Sequence, residues 1–438
     1  MRGAMVPSYA DAMLEKLCRG AAVGLTGGML VLASCVSGDS APVGGTVVPD
    51  GGSTPDTGTG SDASTADGGK CAANTGECDG NPDTVCETDL RTTNEHCGAC
   101  GRSCGTGATC QGGQCTAEAL ARGLPAPFSL QVAGPRLVWY EGTGASIWGC
   151  RTADCGTSKA VMVDIRGSRY ATDALTPRQI AVDAKNFYYA ECGSECGLNK
   201  CDLAGCKLTG GTQLDTSRTA TRLSMLVIAG AGGAYTYHGL EGLTRVDLTT
   251  GAPSYAGSTY KVQDQFQALY TDGTDFVYID PDASLANPLG GLFICPYTGC
   301  TGARNRLLPP PVRHLAAAAR TAFTSSGPVA TASIIGCAFG GCGGGGTVLA
   351  TNQAFVSDIA ADDTAVYWST TGVANPATNN AALGTVMRCA LPTCAGGPTK
   401  IAEGVVNPTS IALDKDYIYW LTRGGTTPNT GEIWRRRR

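Results

Sequence analysis

The sequence predicts an all-β protein, a seven-bladed β-propeller with a small disulfide-rich N-terminal module on a disordered tether. Three observations point there. Charged residues make up only 16% of the 438 residues while glycines number 62, a loop-rich balance that suits strands better than helices. A segment built around a buried-type aromatic recurs seven times at intervals of 43 to 52 residues, the period of a propeller blade. Eight cysteines crowd into residues 71–115, behind a stretch with almost nothing to bury.

The repeats justify the blades one by one. "QVAGPRLVWY", "AVDAKNFYYA", "VIAGAGGAYTY", "LYTDGTDFVYI", "LAAAARTAFT", "IAADDTAVYW" and "IALDKDYIYW" each join a short strand of small residues to a second, apolar strand. Their central aromatics are Trp139, Tyr188, Tyr235, Tyr278, Phe323, Tyr367 and Tyr419. Small residues such as Ala181, Ala360 and Ala412 suit an innermost strand, where blades crowd around an axis. The Val, Ile, Tyr and Trp of the second strand suit a sheet covered on both faces. Asp183, Asp272, Asp362 and Asp414 stand at the turn between the two, where a short carboxylate can accept from backbone N–H groups.

The ring also has a predicted fastening. "GEIWRRRR" supplies a third strand to the last repeat with none to follow, while residues 119–134 match residues 400–415, which begin with the fourth strand of the sixth repeat. Residues 117–123 are therefore expected to complete the last blade and leave no open edge. The closing arginines read as solvated or strand-edge residues, with an anion-binding tail as the alternative.

Five cysteine pairs, each with four residues between its members, fall where the third and fourth strands of a blade meet: Cys150/Cys155, Cys201/Cys206, Cys295/Cys300, Cys337/Cys342 and Cys389/Cys394. They are expected to be disulfide staples across hairpins, each contributing about 2 kcal/mol by loop entropy. "VDLTTGAP" of the third repeat keeps the turn without the staple. Cys192 and Cys196 form a further, differently placed pair.

Ahead of the repeats, residues 1–34 read as a secretory signal. Lys16 and Arg19 precede "AAVGLTGGMLVLAS", which is too short for a spanning helix of about 20 residues but suits an h-region. Residues 36–70 are rich in Gly, Ser, Thr, Asp and Pro and read as a disordered leash reaching roughly 30 Å. The 71–115 module is too small for an apolar core, so four disulfides of undetermined pairing are expected. His96, Cys97, Cys100 and Cys104 leave zinc as an alternative by their spacing. Asp79, Asn81 and Asp83 imitate the opening of a calcium loop, but Thr84 and Leu90 stand where its glycine and bidentate glutamate belong, so Asx turns are the better reading. Residues 116–438 make the propeller.

"LASC" at 32–35 resembles a bacterial lipobox. The resemblance implies cleavage before Cys35, acylation there, and, with Val36 following, the outer membrane; multiple acyl chains anchor stably where one does not. "CETDL…HCGACGRSC…CQGGQC" resembles cysteine-rich segments of delta-proteobacterial surface lipoproteins, and "AVYWST" and "YIYWLT" resemble second strands of exported TolB-like and YWTD-repeat propellers. These resemblances imply architecture and an extracytoplasmic, lipid-anchored location, periplasmic or surface-exposed, with no established activity attached.

Chemistry is sparse in this chain. Histidines number 3 (His96, His238, His314), and there is no HExxH or P-loop. "GRSCG" and "GCGGGG" imitate a nucleophile elbow and a dinucleotide loop but lack the strand-turn-helix context both need. A formal charge of −5 argues against nucleic acid. No cofactor, metal or catalytic residue is assigned. The candidates are residues just after the second strands: Glu141, Glu191, His238, Asp280, Asp282 and Arg423, a polar ring around one mouth of the channel. The expectation is a monomeric binding or scaffold protein for a protein or glycan. A polysaccharide lyase or hydrolase using Glu141, Glu191 or Asp280, and a periplasmic assembly factor, are the alternatives.

Overall fold

The structure, a computed structural model, describes residues 71–438 except 82–85, 106, 142–145, 165–179, 193–195, 204–210, 218–222, 230–232, 239–241, 249–252, 256–267, 281–289, 297–304, 344, 373–382 and 426–428. The signal segment, Cys35 and the leash lie outside the described residues. Among the described residues no helix is long and apolar enough to cross a membrane.

Seven four-stranded antiparallel sheets follow one another along the chain. Their innermost strands are Pro127–Ala133, Ile180–Val182, Leu223–Ala229, Ala268–Thr271, Val312–Ala318, Val356–Ala361 and Pro408–Leu413. Each touches the innermost strand of the next sheet, and the last touches the first. The fold is a β-propeller. Six sheets are described with their packing; the one from Leu223 to Tyr255 is described in its backbone pairing, with buried side chains at Val246 and Leu248.

The last sheet is composite. Its first three strands are Pro408–Leu413, Tyr417–Thr422 and Gly431–Arg437, and its fourth is Glu118–Leu124, pairing Gly431 with Leu124 and Ile433 with Ala121. The residues on this strand show why it fits: Ala121, Leu124 and Ile433 are buried with Leu130, Trp139 and Tyr419 in one cluster spanning the first and last sheets.

The aromatic repeat is the core. Trp139, Trp368, Trp420, Tyr188, Tyr367 and Tyr419 are among the largest fully buried side chains, sandwiched between neighbouring sheets. The turn aspartates fix how each pair of strands begins. Oδ1 of Asp183 accepts from the N–H of Lys185 and Asn186, that of Asp272 from Thr274 and Asp275, that of Asp362 from Thr364 and Ala365, and that of Asp414 from Asp416 and Tyr417, at 2.7–3.0 Å. The second oxygen takes a longer-range donor: the hydroxyl of Tyr188 on Asp183 and of Tyr419 on Asp414, each at 2.7 Å, or a guanidinium, Arg320 on Asp272 and Arg438 on Asp362.

Among the staples, Cys150–Cys155, Cys337–Cys342 and Cys389–Cys394 have Cα atoms 4.9–5.1 Å apart. The second cysteine sits in the connection rather than on the fourth strand; Cys155 opens a one-turn helix, Cys155–Ser158. Cys201 and Cys295 are also disulfide-bonded, and Cys206 and Cys300 lie outside the described residues. Cys192 and Cys196 face each other across two strands, with side chains outside the described set.

In the module the pairing is Cys71–Cys86, Cys78–Cys100, Cys97–Cys110 and Cys104–Cys115. Cys97, Cys100 and Cys104 are thereby cross-linked, which removes the thiolates zinc would need. Asp79 Oδ1 accepts from Asn81 N–H at 2.8 Å, an Asx turn; Asp83 lies outside the described residues.

Candidate functional site

Strand order gives the propeller two unlike ends. Turns joining first to second and third to fourth strands emerge at one end, with the aspartates and cystines. Connections joining second to third strands, and sheet to sheet, emerge at the other, where the candidate polar residues were expected.

Four of the six candidates fall in the last two residues of second strands, and Arg423 directly follows one. Glu141 closes Arg136–Glu141, Glu191 is in Asn186–Cys192, His238 closes Gly233–His238 and Asp280 closes Asp275–Asp280. Side chains of Glu191, His238 and Asp280 are outside the described set, as is Asp282 altogether. Arg423 is exposed, and its N–H donates to the Asn407 carbonyl at 3.0 Å. Glu141 departs from the expectation. It is 2% exposed and accepts from Trp139 Nε1 at 3.3 Å, so it belongs to the packed sheet and not to a solvent-facing ring. Burial pushes its carboxyl above the usual range, and the Trp139 bond and nearby Lys159 offset this only in part. The signal was present in the sequence: residues two apart share a strand face, so a buried Trp139 places Glu141 on the same side.

The opposite end carries what the sequence did not reveal. Far from being solvated, the four closing arginines are largely enclosed and tie three regions together. Arg435 pairs with Glu118, side chains 11% and 10% exposed, and donates to the Thr152 carbonyl of the first sheet at 2.8 Å. Arg436 donates to the Ile401 carbonyl of the sixth sheet and to Gln114 Oε1 of the module. Arg437 donates to the Ser103 carbonyl at 2.7 Å, and the main-chain oxygen of Arg438 accepts from Arg102 of the module at 2.7 Å. Gly105 approaches the Tyr417 hydroxyl so closely that an added Cβ would stand 3.2 Å from it. The cysteine-rich module thus sits on the cystine end of the last sheet.

Two other clusters gather ligand-type atoms. Cys97, Cys104 and Cys115 are disulfide sulfurs. Glu77, Asp79 and Glu87 bring three carboxylates together at the module surface; burial and the neighbouring acids raise the Glu77 carboxyl, while N–H donation from Asn81 lowers that of Asp79.

No protein-family model and no curated sequence matches the chain. Among solved structures it is similar to the oligogalacturonate lyase of Vibrio parahaemolyticus, at 9% identity and TM-score 0.50, over 73% of this chain and 93% of that one. It is also similar to BamB from Moraxella catarrhalis, at 12% identity and TM-score 0.40, over 70% and 84% of the two chains. At such identities the likeness to the lyase shows the fold alone, consistent with the propeller geometry above.

Proposed function

We propose that this chain is a seven-bladed, lipid-anchored cell-envelope protein that presents its long-connection end to a protein or glycan, as a binding or scaffold module rather than an enzyme. The carrying observation is the seating of the cysteine-rich module. Ser103, Gln114 and Arg102 are bonded to the closing arginines at the cystine end, so the side nearest the leash is already occupied and the other end is left for a partner. Segments 281–290 and 373–382, which join second to third strands in the fourth and sixth sheets, are the longest such connections with room for recognition. Acylation at Cys35 and an outer-membrane address belong to this reading.

Buried Glu141 favours binding over catalysis, because a general acid or nucleophile must reach its substrate. The test is crosslinking in intact cells, comparing wild type with variants in which 281–290 and 373–382 are replaced by Gly/Ser. Capture of a partner that is lost in the loop variants supports the reading. Unchanged capture refutes the assigned end, and turnover of oligogalacturonate by wild type that E141Q abolishes would make it an enzyme.

A further inference from the structure

The seam between module and propeller concentrates positive charge in a chain whose formal net charge is −5. Arg102, Arg388 and Arg435 to Arg438 meet there. Tyr367 carries two guanidiniums within reach of its ring, Arg388 at 6.0 Å and Arg438 at 5.8 Å, and Tyr417 carries two more, Arg435 at 4.8 Å and Arg437 at 5.9 Å. Carboxylates balance only part of this: Glu118 pairs with Arg435, Asp362 with Arg438, and Asp416, half exposed, stands 3.9 Å from Arg437. Among the described residues Arg388 has a single long bond, to the Tyr367 hydroxyl at 3.4 Å, and Arg436 donates to a carbonyl and an amide oxygen. Arg438 Nε is buried with no partner among the described residues.

We propose that this seam binds a phosphate- or sulfate-class oxyanion, held by Arg388 and Arg438 over the Tyr367 ring with Arg102, Arg436 and Arg437 around them. Like charges sharing a ring and enclosed together repel, and a bound anion relieves that repulsion while taking up N–H groups the protein leaves idle. Burial together with the charges of Arg437 and Arg388 makes the Arg102 guanidinium less basic than usual, and burial with Arg102 does the same to Arg436. Planar guanidinium forks match tetrahedral oxyanions bidentately, which chloride cannot exploit. The site is independent of the partner surface at the other end, so loss of one leaves the other testable.

The experiment titrates the full chain with inorganic phosphate by calorimetry, ionic strength held constant with chloride. A single saturable site is expected, with affinity reduced about tenfold in R388Q and in R436Q, and with R388Q melting no lower than wild type in phosphate-free buffer. Flotation of the C35S chain with phosphatidylglycerol vesicles separates the sources: flotation competed by phosphate names a lipid headgroup as the anion, and phosphate binding without flotation names a free one. Absence of saturable binding to wild type overturns the proposal, as does unchanged affinity in both R388Q and R437Q should R436Q fail to fold.

Discussion

The cysteine-rich module and the propeller are held together by opposite means. The module's buried cluster is Cys97, Cys104, Ala108, Cys110 and Cys115, so its interior is mostly sulfur. The propeller's interior is aromatic and aliphatic, with Trp368, Val366, Ile359 and Ile334 packed between the fifth and sixth sheets. A segment of 45 residues cannot remove enough apolar surface from water to offset its chain entropy, so covalent links restrict its unfolded state instead. The sheets obtain the same result by covering one another, and their cystines only reinforce hairpins that hydrogen bonds already define.

Reduction should separate the two regions most sharply. Four module bridges closing loops of 11 to 22 residues contribute about 3 kcal/mol each by loop entropy. Mild reductant should therefore abolish amide protection across 71–115 while the propeller keeps its circular-dichroism spectrum; simultaneous loss of both would show that the propeller depends on sulfur as well. Trp368→Ala should have the reverse selectivity. It empties a site that is 0% exposed and should lower propeller stability by about 3–5 kcal/mol, with module protection unchanged. The double change C150A/C155A should cost about 2 kcal/mol and leave the hairpin between Ser146–Arg151 and Ala160–Asp164 protected in hydrogen exchange. Tyr419→Phe removes one donor from Asp414 and should cost about 1 kcal/mol in chemical denaturation.

The smallest contrast lies within the propeller and depends on pH. Burial works against ionisation of Asp183, but donation from Lys185, Tyr188 and Asn186 prevails, and Asp362 is lowered likewise through Thr364, Arg438 and Ala365. Carboxyls depressed by folding add stability above their unfolded value near 3.9, and lose it as pH falls through the lower folded value. Glu141 has the opposite sign: its raised carboxyl favours the fold below the unfolded value near 4.3, and stability falls as pH climbs through the raised one. E141Q should therefore be more stable than wild type at pH 7 and equal to it near pH 4; a deficit at both would show the carboxylate to be a structural requirement.

Features carried by neighbours in the chain were legible. The spacing of Trp139 through Tyr419 marks strands because burial between sheets selects for aromatic and β-branched residues at one place in each unit. Asp183 and Asp414 announce turns because their partners lie two and three residues away. The kinship of 119–134 with 400–415 pointed at the strand Glu118–Leu124 that joins Gly431–Arg437. Features set by distant parts of the chain were not legible. Arg102 meets Arg438 across 336 positions, and no local pattern distinguishes a guanidinium that will be enclosed from one left in water. The module's pairing was equally hidden, since eight cysteines admit many connectivities and loop entropy hardly separates them.

The composite last sheet has a consequence in time. The other sheets contain all their hydrogen-bonding partners within one contiguous stretch, so each can assemble soon after it is synthesised. Glu118–Leu124, by contrast, waits for Gly431–Arg437, made some three hundred residues later. Until then a growing chain carries an unzipped margin, and Gly431–Arg437 decides at once whether the circle shuts and whether the sulfur-rich cap is seated.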